Sequence, residues 1–170
     1  MKKFFLLAAF VSALALTGCQ KQSELKFDDI QTYATIQGRV KYEPGYKLDD
    51  KELPVVRDAA LKEGVTVVAK IAYSEYDGKA TGTKQIKAVT DANGVYILSV
   101  PVGQKAITVN VAPAGFWGDY IEYEYDMEEK DYRRHTYNAF FEDNSTRSVS
   151  VLAGEEHVVA DFEMSPSIKY

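Results

Sequence analysis

Cysteine occurs once in the 170 residues, tryptophan once and histidine twice. A single cysteine excludes an intrachain disulfide, so stability has to come from an apolar core, which a chain of this length is able to build. The two histidines, His135 and His157, have no metal-type neighbours at useful spacing, and HExxH, CxxC and GxSxG are all missing. Acidic residues outnumber basic ones, 25 to 20, and no Lys/Arg cluster interrupts them, which excludes the electrostatic footprint of a nucleic-acid binder. The longest apolar run, Phe4 to Leu16, falls short of the roughly 20 residues a membrane-spanning helix needs. No cofactor and no metal are expected. The acids are scattered over strands and loops and read as solvated surface rather than as the paired carboxylates of a hydrolase. The chain is not expected to be an enzyme.

The apolar run has a definite place. Lys2 and Lys3 precede it and Leu16-Thr17-Gly18-Cys19 ends it, the order of a charged n-region, an apolar h-region and a small-residue cleavage site. The last four residues resemble the lipobox of bacterial lipoproteins. That resemblance implies cleavage before Cys19, a diacylglyceryl group on its sulfur and acylation of the new amine. Residues 1–18 are then a signal peptide and 19–31 a lipidated tether, polar and without periodicity. The partner they imply is a membrane, reached through several acyl chains that together anchor stably. Gln20 after the cysteine, rather than Asp, points to the outer membrane. Cleavage removes two lysines and no acid, so the net charge of −5 becomes −7.

Beyond the tether, residues 32–170 read as one all-β domain. Alternation of period two gives strands at Tyr33–Tyr42, Val65–Tyr73, Ile86–Thr90, Val95–Val100, Lys105–Ala112, Arg147–Leu152 and His157–Met164. Glu43–Gly64 is expected to be a long crossover with a helical turn near Val56–Lys62. Asp91-Ala92-Asn93-Gly94 is a hairpin turn: as a calcium loop it would need an acid at position 12, which falls on Val102. Many short strands between turn signals predict an antiparallel β-sandwich.

Thr90-Asp91-Ala92-Asn93-Gly94-Val95-Tyr96-Ile97-Leu98-Ser99-Val100-Pro101-Val102-Gly103, with Ile36-Gln37-Gly38-Arg39-Val40 and Gly64-Val65-Thr66-Val67, resembles the carboxypeptidase regulatory-like family and its transthyretin-like and Cna-B-like relatives. The resemblance covers roughly residues 33–113 and implies a prealbumin-type sandwich acting as a structural or accessory module. Some Cna-B-like domains join a Lys to an Asn or Asp through an isopeptide bond, and the resemblance would cast Lys41 and Asp161 in those roles. Two solvent-facing surface residues are the plainer expectation.

Residues 116–141 do not fit a minimal domain of that kind. They form an aromatic hairpin insert carrying Phe116, Trp117, Tyr120, Tyr123, Tyr125, Tyr132, Tyr137, Phe140 and Phe141. Tyr123 and Tyr125 alternate with acids, and packing on the sandwich is at least as strong an expectation for them as an exposed binding role. Trp117 sits in Gly115-Phe116-Trp117-Gly118, read as a turn, and is the residue most expected to be exposed. With Tyr120, Tyr132 and Tyr137 it makes up the candidate ligand-binding set, suited to a glycan or a peptide partner.

Overall fold

The computed structural model describes residues 29–159 and 161–167. The signal segment, Cys19 and the tether up to residue 28 lie outside them. Among the described residues there is no α-helix, and no helix long and apolar enough to cross a membrane.

Alternating side chains need two faces of different polarity, and thirteen strands among the described residues provide them. In chain order they are β1 (Tyr33–Tyr42), β2 (Tyr46–Leu48), β3 (Pro54–Val56), β4 (Ala60–Leu61), β5 (Thr66–Ala72), β6 (Thr83–Val89), β7 (Val95–Pro101), β8 (Ile107–Pro113), β9 (Phe116–Asp126), β10 (Asp131–Glu142), β11 (Arg147–Val151), β12 (Glu156–Val158) and β13 (Phe162–Ser167). One sheet runs β12-β1-β13-β10-β9, with β7 and β4 also on β1. The second runs β11-β8-β5-β6, and β2 and β3 form a small hairpin. The protein is an all-β sandwich. Ala34, Ile36 and Val40 of β1, Tyr96 and Leu98 of β7, and Phe162 and Met164 of β13 meet Val67, Ala69 and Ile71 of β5 and Val109 and Val111 of β8 in one core.

Three expectations need correction. The segment Val56–Lys62 contains no helical turn; β4 pairs there with the end of β1, because Lys41 and Tyr42 offer an open ladder edge beyond β7. The sheets are not wholly antiparallel, since β1 pairs in parallel with β12 and β13. His157–Met164 is not one strand either. Three steps along β1, from Gln37 to Val40, match four steps on its partner, from Val158 to Phe162. One extra residue of this kind makes a bulge and reverses side-chain parity. Val159 points inward before it, and Phe162 and Met164 point inward after it.

Two local devices hold the sheet faces in place. Opposite Tyr96 in the ladder stands Gly38, and a Cβ there would lie 2.6 Å from the Tyr96 hydroxyl oxygen and 2.8 Å from Cγ2 of Val159. The tyrosine ring thus covers a glycine and fills space no other side chain occupies; burial pushes its pKa well above the usual tyrosine range. The second device is Thr90, buried at the start of the 91–94 turn. Its hydroxyl donates to the Lys62 carbonyl at 2.6 Å and accepts the Val65 amide at 2.9 Å. Below it, Asp91 Oδ1 accepts the amides of Asn93 and Val95, and Gly94 takes a positive φ of 65°. The turn is built as its sequence predicts.

Thr90→Val, which keeps the shape and removes both hydrogen bonds, is expected to cost about 2 kcal/mol by leaving two buried backbone groups unpaired. Gly38→Ala should cost about 1–3 kcal/mol through overpacking against Tyr96. Urea denaturation of the two variants checks both; an unchanged midpoint in either would show that its contact is dispensable.

Candidate functional site

β9 and β10 pair along their whole length, from Phe116 opposite Phe141 to Asp126 opposite Asp131. Pairing places directly opposed residues on one face, so the hairpin divides its aromatics into two sets. The inner face carries Phe116, Tyr120, Tyr137 and Phe141. Phe116 and Phe141 stack at 5.2 Å and 14°, Tyr42 meets both edge-on at 5.6 and 5.2 Å, and Lys62 Nζ lies 5.0 Å from the Phe116 ring centroid. Phe116, Tyr120 and Phe141 with Tyr42 close one end of the core, while Tyr137 on the same face stays exposed.

The outer face carries Trp117, Tyr123, Tyr125, Tyr132 and Phe140. The expectation of packing on the sandwich fails for Tyr125, which is 46% exposed. Further along the same face Ile121 is buried beside the bridge to Gly45, and Tyr123 is half-buried. Tyr125 instead meets its cross-strand partner Tyr132 at 5.2 Å and 66°. Residues 116–118 are also strand rather than turn.

The four candidate ligand residues do not form one site. Tyr120 and Tyr137 lie opposite each other on the inner face, while Trp117 and Tyr132 lie on the outer face near opposite ends of the hairpin. What surrounds Trp117 is a different set. Trp117 is 64% exposed, and with Asn138, Phe140, Glu142 and Ser167 it lines a groove of ≈ 570 Å³. Asn138, Phe140 and Glu142 follow one another on the outer face of β10, Trp117 is the ladder partner of Phe140 on β9, and Ser167 is its partner on β13. The Trp117 and Phe140 rings sit 5.3 Å apart at 57°. Phe140 has this position because residue 115 is glycine: a Cβ there would lie 2.2 Å from Phe140 Cζ. Sequence reasoning missed Asn138, Phe140, Glu142 and Ser167. The first three follow once the hairpin register is known; Ser167 does not.

The β10–β13 ladder spans only Phe140–Glu142, and β9 is joined to Pro44–Gly45 at Ile121; past that bridge the hairpin continues as a ribbon. A two-stranded ribbon depends on its own cross-strand contacts. At its tip Asp126 Oδ1 accepts the Glu128 and Glu129 amides at 2.8 and 3.1 Å, and Oδ2 pairs with Arg133 at 2.8 Å. These backbone hydrogen bonds, with Arg133 beside them, hold the Asp126 carboxyl below its usual pKa. His135 stands 3.6 Å from Glu124.

His157 contacts Glu155 at 3.0 Å. Among the described residues no group of three His, Cys, Asp or Glu is placed to hold a metal. Lys41 and Asp161 are brought together, Nζ to Oδ2 at 2.5 Å, with about 30% of each side chain exposed. Amide formation needs a neutral amine and an activated acid, conditions that burial and a third acid supply. Here the two form a half-wet ion pair, with no other carboxylate in ion-pair contact with Lys41 among the described residues.

A group whose pKa is depressed by folding stabilises above its unfolded pKa and ceases to do so as pH falls through the folded one. Amide exchange at residues 126–131 is therefore expected to accelerate below about pH 4, near the unperturbed Asp value, before the core opens. Asp126→Ala should give the same loosening at pH 7; equal protection in both proteins at every pH would rule this out. The intact mass of the folded protein is expected to show no loss of water from Lys41 and Asp161.

No family model matches the chain, and no curated protein matches it. Among solved structures, the chain is similar to the crystal structure of the major plantain pollen allergen Pla l 1, at 13% identity and a TM-score of 0.42, over 81% of this chain and 97% of that one.

Proposed function

We propose that this protein is a lipid-anchored envelope protein whose β-sandwich is a non-enzymatic accessory module that binds a ligand on its outer aromatic face. The lipid anchor rests on Leu16-Thr17-Gly18-Cys19, and the accessory character on the likeness of residues 90–103 to carboxypeptidase regulatory-like, transthyretin-like domains. The observation that carries the binding role is Trp117. A tryptophan 64% exposed at the rim of a groove it shares with Asn138, Phe140, Glu142 and Ser167 contributes nothing to the core, whereas large amphipathic rings at such places are the usual anchors of an interface. The acylated cysteine then fixes where this surface works: at a membrane, the outer membrane on the evidence of Gln20.

Two measurements test the halves separately. Labelling cells with a palmitate analogue is expected to mark the wild-type protein and not Cys19→Ser, which should accumulate as the uncleaved precursor; equal labelling of both would remove the anchor. The full chain should bind members of a combined glycan and peptide array, and Trp117→Ala should lose that signal while its thermal unfolding is unchanged. A clean array with the wild-type protein would leave the sandwich a purely structural module.

A further inference from the structure

The Trp117 groove is a piece of sheet surface centred on β10, whose hydrogen-bonding backbone is already in use on both sides. Trp117 and Phe116 pair with Phe140 and Phe141 on one side of β10, and Ser167 and Pro166 pair with the same two residues on the other. An extended peptide that binds by adding a strand needs an open edge. β10, the strand beneath the groove, is paired on both sides and offers none, so recognition over it falls to side chains; the nearest free edge is that of β9, at the margin of the sheet.

Those side chains are a rigid aromatic plane with polar groups beside it. Trp117 is backed by Phe140 at 5.3 Å, and Phe140 is seated against the backbone of Gly115. The plane is thus set before any ligand arrives, which spares the cost of ordering it on binding. Around it stand the Glu142 carboxylate, the Asn138 amide and the Ser167 hydroxyl. Asp119, the ladder partner of Asn138, adds a second carboxylate on the same face. The volume, ≈ 570 Å³, falls in the range of about 300–1,000 Å³ typical of small-molecule sites.

We propose, building on the binding role given above to Trp117, that this groove is a subsite for an uncharged sugar ring. A pyranose offers a face of C–H groups that stacks on the indole and a rim of hydroxyl donors. Carboxylates accept those hydroxyls in charge-assisted hydrogen bonds. The same two acids, Glu142 and Asp119, repel uronic and sulfated sugars, on a chain already net acidic. The ligand class is a neutral glycan.

Calorimetric titration of the full chain in detergent tests this with neutral gluco-, manno- and galacto-oligosaccharides against oligogalacturonate and a sulfated oligosaccharide. At least one neutral series is expected to bind and both acidic probes to fail. Trp117→Ala should weaken binding about tenfold or more, the equivalent of about 1.4 kcal/mol, and Trp117→Phe should restore much of it. Glu142→Gln should weaken neutral binding and narrow the gap to oligogalacturonate. Gly115→Ala, which changes no lining side chain but displaces Phe140, should also weaken binding, with folding followed by circular dichroism. Acidic probes binding as tightly as neutral ones would overturn the charge argument. A peptide bound in a Trp117-dependent way with no glycan bound would overturn the sugar assignment and leave the binding role standing. If nothing binds through Trp117, both fall.

Discussion

β1 is hydrogen-bonded along both edges. On one side it runs antiparallel to β7 and then to β4; on the other it runs parallel to β12 and then to β13. A parallel pair cannot be closed by a tight turn, and here the connection is the whole body of the domain, from Tyr42 to Glu156. The aromatic hairpin is hydrogen-bonded into the sheet of β1 through β13, which pairs with β1 at Val40–Tyr42 and with β10 at Phe140–Glu142, and Tyr42 of β1 packs on its Phe116 and Phe141 rings. The position of the Trp117 groove therefore depends on the register of the last strand against the first. The extra residue between Val158 and Phe162 adjusts that register. Without it Phe162 and Met164 would turn outward, and the face that β13 shares with β10 would be reversed.

The hairpin itself serves two purposes by simple alternation. Its inner positions extend the core through Phe116 and Phe141; its outer positions display Trp117 and Phe140, each one residue removed from a core ring. The two rows are mechanically coupled. Phe141 is buried and held between Tyr42 and Phe116, which fixes the backbone that presents Phe140, and Gly115 leaves Phe140 the room to back Trp117. An exposed tryptophan on a mobile loop would lose entropy on binding. On a strand whose neighbour is locked in the core it loses little.

Local chemistry was the most legible part of the chain. The 91–94 turn could be read from Asp91, Asn93 and Gly94 because every partner lies within four residues, and Tyr96, Leu98 and Ile97 took the faces their alternation predicted. The errors share a different origin. Tyr125 was expected to pack on the sandwich and does not, because alternation shows that two faces exist but not which one meets the core; Phe116 decides that through Tyr42, some 74 residues earlier. Val56–Lys62 looked helical in isolation, yet its end joined β1 as β4 because an unpaired edge was waiting there. The exposure of Trp117 was anticipated, though from a turn that turned out to be strand.

By itself, the sequence determined the elements whose physics is short in range: the strand periods, the turn glycines and the all-β class. Only the tertiary structure decided which strands lie side by side. That choice set Ser167 next to Phe140, drew Lys41 to Asp161 and split Tyr120 and Tyr137 from Trp117 and Tyr132. The reason is physical. Backbone pairing is indifferent to side-chain identity, so register is settled by how distant apolar faces fill one core, and a one-residue shift at β12–β13 is enough to change what gathers around the single tryptophan.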